Sequence, residues 1–430
     1  MTRRTTRGDA RLLTATERGE LAFDVGPDPR TIGVVLRLAG AAPSEETLAA
    51  ILAARLPGSP RWACRVLHPA RGRPRWEPAA VDVAAHVRTV AIGSDAEDDL
   101  LAAAVTVMRE PWDVADAPPW RVTRLVTGAG RDAVVLTLHH VLTDGTGVLA
   151  TASALLGLTA PPVAAPAPLL AGPVRQVLGA ARRPFAAGRS VVLGAAEVAA
   201  GLGPPAPRTS LTAPLGPGFR LAVVDLDLAR VRATARGQGA TVNDVLLVAA
   251  ADALARLLAR RGEAVDRLVC SVPVSRWRPG DTDRRARTGV LRVPVPAAPE
   301  LAATERLRRT AARSRRRRRF ATGESAPLLA RVFAAFAFVG RYGWVLERQR
   351  VINTVVSNLR GPSDPIALAG VPVTGVVPVA PGAGNIPVYF TALSYAGRLV
   401  VTLRADERLA AELPALAADL RAVVDELVDG

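Results

Sequence analysis

The sequence predicts an α/β protein built as two lobes, each a mixed β-sheet with flanking helices. Three observations carry that expectation. Short Val- and Leu-rich segments of strand length alternate along the chain with longer amphipathic segments of helical period, the pattern of sheets covered by helices. At 430 residues the chain is longer than an average single domain, so two units are the natural division. Residues 161–173 (PPVAAPAPLLAGP) open a Pro- and Ala-rich segment that suits an extended crossover rather than a packed element. The expected division is a first lobe over 1–158, a linker over 159–215 and a second lobe over 216–430.

Composition narrows the class. Hydrophobic residues make up 49% of the chain, enough for a large core and too many for disorder. Cys64 and Cys270, far apart in sequence, suggest neither a disulfide framework nor a zinc site and fit a reducing cytoplasm. The basic N-terminus lacks the apolar core of a signal peptide. No apolar run approaches the ~18 residues of a membrane span; the longest candidate, 328–346, is broken by Arg331 and Arg341. The expected location is the cytoplasm, with peripheral membrane contact as an extension. The formal charge of +16 rests on arginine alone, because the sequence has no lysine. With so much Ala, Gly, Pro and Val, that reads as the coding bias of a GC-rich genome. Few aromatics and no base-reading module argue against nucleic acid. The positive field still favours anionic ligands.

In order, residues 1–19 read as a polar, Arg-rich lead-in, poorly ordered at its start. Residues 32–38 (IGVVLRL) read as a strand, and 44–56 as a helix capped by Ser44. Residues 62–67 form a further strand candidate, and 81–91 lead to acidic residues 95–99, which open a helix over 98–109 at its favoured end. Strands 121–126 and 133–140 follow, then a helix over 146–158. In the second lobe, 219–227 (FRLAVVDLD) alternates as a strand does, and 229–237 reads as a helix. Thr241 or Asn243 caps a long amphipathic helix that runs to Gly262. Strands at 268–274 and 290–295 flank a turn-rich stretch. Residues 306–320 carry nine arginines, as a solvated helix face or as a reader of anionic phosphates or lipid headgroups. An apolar, aromatic-bearing helix over 327–346 suits core packing or contact with a lipid surface. Strand segments within 353–362 and 370–402 precede a closing helix over 413–428.

The chemistry concentrates in residues 136–147, LTLHHVLTDGTG. Successive strand residues face opposite ways, so His139 and His140 cannot both enter one cavity. That divergence, with no helical His-x-x-x-His and no Cys cluster, gives no metal site. Thr143, Asp144 and Gly145 form a turn that opens the next helix. No Gly-x-Ser-x-Gly elbow supplies a serine nucleophile. His86 reads as a packed histidine at a strand end.

The pattern HHxxxDG resembles the active-site motif of the CoA-dependent acyltransferase superfamily, which includes chloramphenicol acetyltransferase and peptide-synthetase condensation domains. Further pieces are similar to the bacterial wax ester synthase/diacylglycerol acyltransferase family: VDVAAHVR (81–88), PWDVADAPPW (111–120), ATVNDVLL (240–247) with SVPVS (271–275), VVSNLRGP (355–362) and ALSYAGRLVVTLRAD (392–406). The resemblance implies two chloramphenicol-acetyltransferase-like lobes with a substrate tunnel between them. It implies acyl transfer from acyl-CoA to a hydroxyl acceptor, a long-chain alcohol or diacylglycerol. His140 would be the general base, with His139, Asp144 and Gly145 completing the motif and Asp144 mainly architectural, paired with an arginine such as Arg276. Asn243, Asp244, Ser357 and Asn358 would line the substrate site. Acyl-CoA is then a cosubstrate, with no resident cofactor. In place of the family's Asp-containing N-terminal signature stands TATERGEL (14–21), and its Pro-Leu-Asn segment is Ser210–Leu211–Thr212. These departures bear on the acceptor. They leave two alternatives: an O- or N-acyltransferase of specialised metabolites that uses acyl-CoA or an acyl carrier protein, and a catalytically silent binding protein.

Overall fold

The computed structural model describes residues 11–24, 28–68, 72–128, 130–143, 145–158, 204–275, 288–318, 342–382 and 384–429. β1 (Arg11–Leu12) and α1 (Ala15–Ala22) precede β2 (Thr31–Leu38), α2 (Glu45–Arg55), β3 (Cys64–Leu67), β4 (Arg75–Pro78) and β5 (Val87–Ala91). Then come α3 (Glu97–Met108), β6 (Trp120–Val126), β7 (Ala133–His139) and α4 (Gly145–Leu155). The second half holds β8 (Phe219–Asp227), α5 (Leu228–Gly237), α6 (Val242–Arg260), β9 (Arg267–Ser275), β10 (Thr288–Pro296), α7 (Ala303–Arg318) and α8 (Tyr342–Leu346). It closes with β11 (Thr354–Arg360), β12 (Ala367–Leu368), β13 (Val371–Val379), β14 (Val388–Tyr395), β15 (Arg398–Asp406) and α9 (Leu413–Asp429). Most of the linker expected over 159–215 and the turn-rich stretch after β9 lie outside the described residues, as does the aromatic helix apart from α8.

Two six-stranded mixed sheets organise the chain, in the orders β12-β13-β2-β7-β6-β5 and β10-β9-β11-β14-β15-β8. The α/β class read from the sequence is the class observed. In the first sheet only β5 and β6 run parallel; in the second, β11 runs parallel to both of its neighbours. β7 lies between β2 and β6, and every one of its residues is buried. That position explains its continuous Val/Leu run: a central strand covered on both faces needs no polar side chains. Val134, Leu136 and Leu138 pack into one core, with α4 residues Val148, Ala152 and Leu155. Val135, on the opposite face, joins a second core shared with α3 and with Phe219, Leu221 and Val400 of the other sheet. This seam holds the lobes together.

The second lobe is built on α6, which packs against α9 and the sheet. Thr241 caps it in a capping box with Asp244, the Thr241 alternative read from the sequence. Thirteen of its residues are buried, all but Asp244 and Asp252 apolar.

Two features differ from the sequence expectation. Residues 11–19 of the segment read as a polar lead-in hold regular structure: β1 joins a small sheet with β4 and β3, and α1 starts at a complete Thr14–Glu17 capping box. Residues 367–379 fall within the segment assigned to the second lobe, yet β13 pairs antiparallel with β2, Val377 opposite Val35. The Tyr395 hydroxyl fastens this strap, donating to Val373 O at 2.6 Å and accepting from Ile366 N–H at 3.0 Å. No described helix is long and apolar enough to cross a membrane.

Candidate active site

β7 delivers the two histidines as strand alternation requires. His139, the last residue of the strand, pairs with Thr31 of β2 and is fully buried. Its Nδ1 accepts the Val141 N–H at 3.0 Å, so the ring proton sits on Nε2, which donates to Asp24 Oδ2 at 3.2 Å. Both nitrogens are engaged. His140 follows with its backbone N–H donated to Arg30 O at 2.8 Å. Its Nδ1 is buried 3.1 Å from Glu20 Oε2, off the line a good hydrogen bond needs. The side chain as a whole is 16% exposed, through atoms other than Nδ1.

The partners come from α1 and the turn after it. Glu17, Glu20 and Asp24 are spaced i, i+3, i+7, which sets them along one side of that segment. Glu17 accepts from Arg61 at 2.6 Å, and Arg61 in turn donates to the carbonyls of Val141 and Leu142 at 3.0 and 2.9 Å. The turn after His140 is thereby tied to α1. Glu20 Oε2 accepts from Arg30 Nη2 at 2.7 Å, and Asp24 Oδ1 from the Arg30 N–H at 2.9 Å. Arg30 Nη1 reaches across to Gly382 O at 3.0 Å. A Cβ on Gly382 would stand 2.0 Å from the Arg404 guanidinium, so a side chain there would force Arg404 to move.

All three acids are held below their ordinary carboxylate range. Burial alone would raise each one; it is outweighed by Arg61 at Glu17, by His140 and Arg30 at Glu20, and by the His139 hydrogen bond at Asp24. The cluster is thus charged and internally paired around His140.

Asp144 and Arg276 lie outside the described residues. Gly145 is the first residue of α4, where backbone N–H groups have no partner within their own helix. Asp244 is buried and serves the α6 cap: its Oδ2 accepts from Thr241 N–H at 2.9 Å and Thr241 Oγ1 at 2.7 Å. Asn243 is half-buried in the first turn of the same helix. Ser357 and Asn358 are half-buried on β11, opposite Thr391 and Ala392 of β14. Among the described residues, no hydrogen bond joins Asn243, Ser357 or Asn358 to the His140 cluster. His86 packs as a core residue, its Nδ1 2.7 Å from Trp120 O and its ring stacked 4.1 Å from the indole. Among the described residues, no group of His, Cys, Asp or Glu is arranged to hold a metal ion.

Glu20, Asp24, Arg30 and Arg61 were not singled out from the sequence. The signal for two of them was the acidic spacing at 17, 20 and 24 behind a Thr-x-x-Glu cap.

The sequence profile of the wax ester synthase/diacylglycerol acyltransferase catalytic domain matches residues 33–173 and 160–246, and that of the family's C-terminal domain matches 286–427. The chain belongs to the wax ester synthase/diacylglycerol acyltransferase family. It is 28% identical to a probable diacylglycerol O-acyltransferase of Mycobacterium tuberculosis strain H37Rv, over 92% of this chain and 91% of the relative. The fold matches the wax ester synthase/diacylglycerol acyltransferase of Marinobacter aquaeolei VT8 at 22% identity, with a TM-score of 0.69 over 97% and 98% of the two chains. It also matches a variant of the starter condensation domain of rhizomide synthetase in complex with C8-CoA, at 16% identity and a TM-score of 0.63 over 97% and 95%. Membership makes the chain an acyltransferase.

Proposed function

We propose that this acyltransferase moves an acyl group from acyl-CoA to a hydroxyl acceptor, a long-chain alcohol or diacylglycerol, with His140 Nε2 as general base and no acyl-enzyme. One contrast carries the assignment of the base. His139 has both ring nitrogens engaged in a fully buried site, whereas the His140 side chain is partly exposed at atoms other than its buried Nδ1. In the reaction, Nε2 takes the acceptor's hydroxyl proton as the oxygen attacks the thioester carbonyl. The carbonyl electrons move to oxygen, then return as the C–S bond breaks, and the imidazolium gives its proton to the departing CoA thiolate. General-base help of this kind contributes ~10²–10⁴-fold. Candidates to stabilise the oxyanion are the backbone N–H groups at the start of α4 and the side chains of Asn243 or Asn358.

The donor class is supported by the family and by the fold shared with a condensation domain that binds C8-CoA. Acyl-CoA enters as a cosubstrate, and the chemistry requires no resident cofactor. The name of the mycobacterial relative favours diacylglycerol as acceptor. Exposed Trp344, with Arg348 stacked 5.0 Å from its ring, supports contact with a lipid surface. A specialised-metabolite acceptor, with acyl-CoA or a carrier protein as donor, is the second reading, favoured by TATERGEL and Ser210–Leu211–Thr212 in place of the family's signatures.

The test is acyl transfer from a panel of acyl-CoAs to hexadecanol, diacylglycerol and an amine, with wild type beside His140→Ala. Ester formation that disappears in the variant is the expected result. CoA release with no acceptor esterified points to the specialised acceptor. No His140-dependent turnover from any acyl-CoA removes this reading and leaves a carrier-protein donor or a silent binding protein.

A further inference from the structure

We infer that Glu20 is a positioning residue for His140, holding the imidazole as the Nδ1–H tautomer and stabilising the imidazolium formed in catalysis. This deepens the proposed role of His140 and rests on it.

The inference begins with two atoms. His140 Nδ1 is buried, and the partner within reach is Glu20 Oε2 at 3.1 Å. An ionised carboxylate only accepts hydrogen bonds. If Nδ1 carried a lone pair, two acceptors would face each other at a buried nitrogen, a costly arrangement for both groups. With the proton on Nδ1, a small ring rotation converts the contact into a charge-assisted hydrogen bond. The lone pair then falls on Nε2, the nitrogen proposed to take the acceptor's proton. During turnover the Nδ1 proton stays between ring and carboxylate, while the proton gained at Nε2 leaves on the CoA sulfur.

The carboxylate is also held in place. Arg30 Nη2 grips the same Oε2 at 2.7 Å, and its other end is fixed to Gly382 O. Three residues before Glu20, Glu17 is anchored through Arg61; four residues after, Asp24 is anchored through His139. Glu20 therefore has little freedom to leave the ring. Among the described residues, the charged and titratable groups around His140 are Glu20 and Arg30 in contact with it, then Asp24 with His139, and Glu17 with Arg61. Of these, Glu20 is the carboxylate that reaches the His140 ring.

The test combines NMR and kinetics on the full chain. ¹⁵N-histidine spectra of the wild type should show His140 as the Nδ1–H tautomer and His139 as the Nε2–H tautomer; an Nε2–H His140 overturns the inference without any substitution. Glu20→Gln keeps an acceptor for Nδ1 but removes the charge. It should populate the Nε2–H tautomer of His140 and lower kcat, by up to the ~10⁴-fold that turning the orienting carboxylate of a catalytic histidine into an amide can cost. Glu20→Asp should restore the Nδ1–H tautomer and part of the rate. A folded Glu20→Gln enzyme with wild-type kcat and the Nδ1–H tautomer kept overturns the proposal, as does one that loses thermal stability and rate while that tautomer is kept. Activity that survives in His140→Ala would instead remove the base assignment itself, so the two failures are told apart.

Discussion

His139 and Asp24 form a closed pair at the end of the central strand: Nε2 donates to Oδ2 at 3.2 Å, while Nδ1 is filled by the Val141 N–H. The first histidine of the motif thus holds the turn that follows its neighbour. Asp24→Ala leaves a buried N–H without its acceptor, and such a loss costs about 1–3 kcal/mol. Chemical denaturation should show that loss, with kcat falling less than in Glu20→Gln. An Asp24→Ala protein of wild-type stability would remove this bracing role.

Stability should fall on the acid side, and the sign follows from the three acids of the α1 segment. Glu17, Glu20 and Asp24 are all depressed in the folded protein: burial pulls each upward but is outweighed by its cationic or hydrogen-bonding partners. A depressed carboxylate binds its proton more weakly when folded. It adds stability above its ordinary value, 4.5 for Glu17 and 3.8 for Asp24, and that stability is lost as pH falls through the folded-state value. Urea midpoints should therefore change little from about pH 7 to about pH 5 and drop steeply below about pH 4. Glu17→Gln should flatten the acid slope. An identical slope in that variant would show that Glu17 is not part of the effect.

The same acids mark where the sequence was hard to read. α6 was legible because thirteen of its residues are buried and the apolar stripe repeats at helical period behind Thr241. β7 was legible because a strand buried on both faces is a plain apolar run. The His139/His140 divergence follows from strand geometry alone. α1 was missed because the residues that matter on it are acidic, fixed by Arg30, Arg61 and the histidines rather than by apolar packing. β13 reads as a strand, but its partner β2 lies more than 300 residues away in sequence, and no local pattern encodes that pairing. Ser357 and Asn358 were read as site residues from family likeness alone; the structure sets them half-buried on β11, opposite Thr391 and Ala392 of β14.

The capping box of α6 gives a direct separation of roles for Asp244. Its Oδ2 accepts two hydrogen bonds from Thr241, and Asp244 N–H donates to Thr241 Oγ1 at 3.3 Å. Loss of such a cap costs about 0.5–2 kcal/mol. Thr241→Ala and Asp244→Ala should each lower the melting temperature, and the double variant should cost little more than the worse single one, since both remove the same box. Additive losses would show that Asp244 acts beyond the cap. A raised KM for acyl-CoA in Asp244→Ala alone, at unchanged stability, would assign it to the substrate site instead.

The seam between the lobes carries a charge contact whose two arms should differ in strength. Asp28, just before β2, accepts from Arg404 at 3.1 Å and from Arg109 at 2.8 Å. Arg404 is buried on β15, stacked 4.0 Å from the Phe219 ring, whereas Arg109 is partly exposed. Removing the shared carboxylate strands a buried guanidinium, and breaking such a pair costs about 3–5 kcal/mol. The exposed arm is worth about 0–1 kcal/mol. Asp28→Ala should therefore destabilise strongly, and Arg109→Ala hardly at all. The buried arm also bears on the site. Arg404 packs against Gly382, whose carbonyl holds the Arg30 that grips Glu20. Asp28→Ala should thus lower kcat beyond what its melting temperature explains, when assayed well below that temperature. Equal effects from the two substitutions would place the strength of the seam in its apolar core, and leave the Asp28–Arg404 contact without a part in setting the active site.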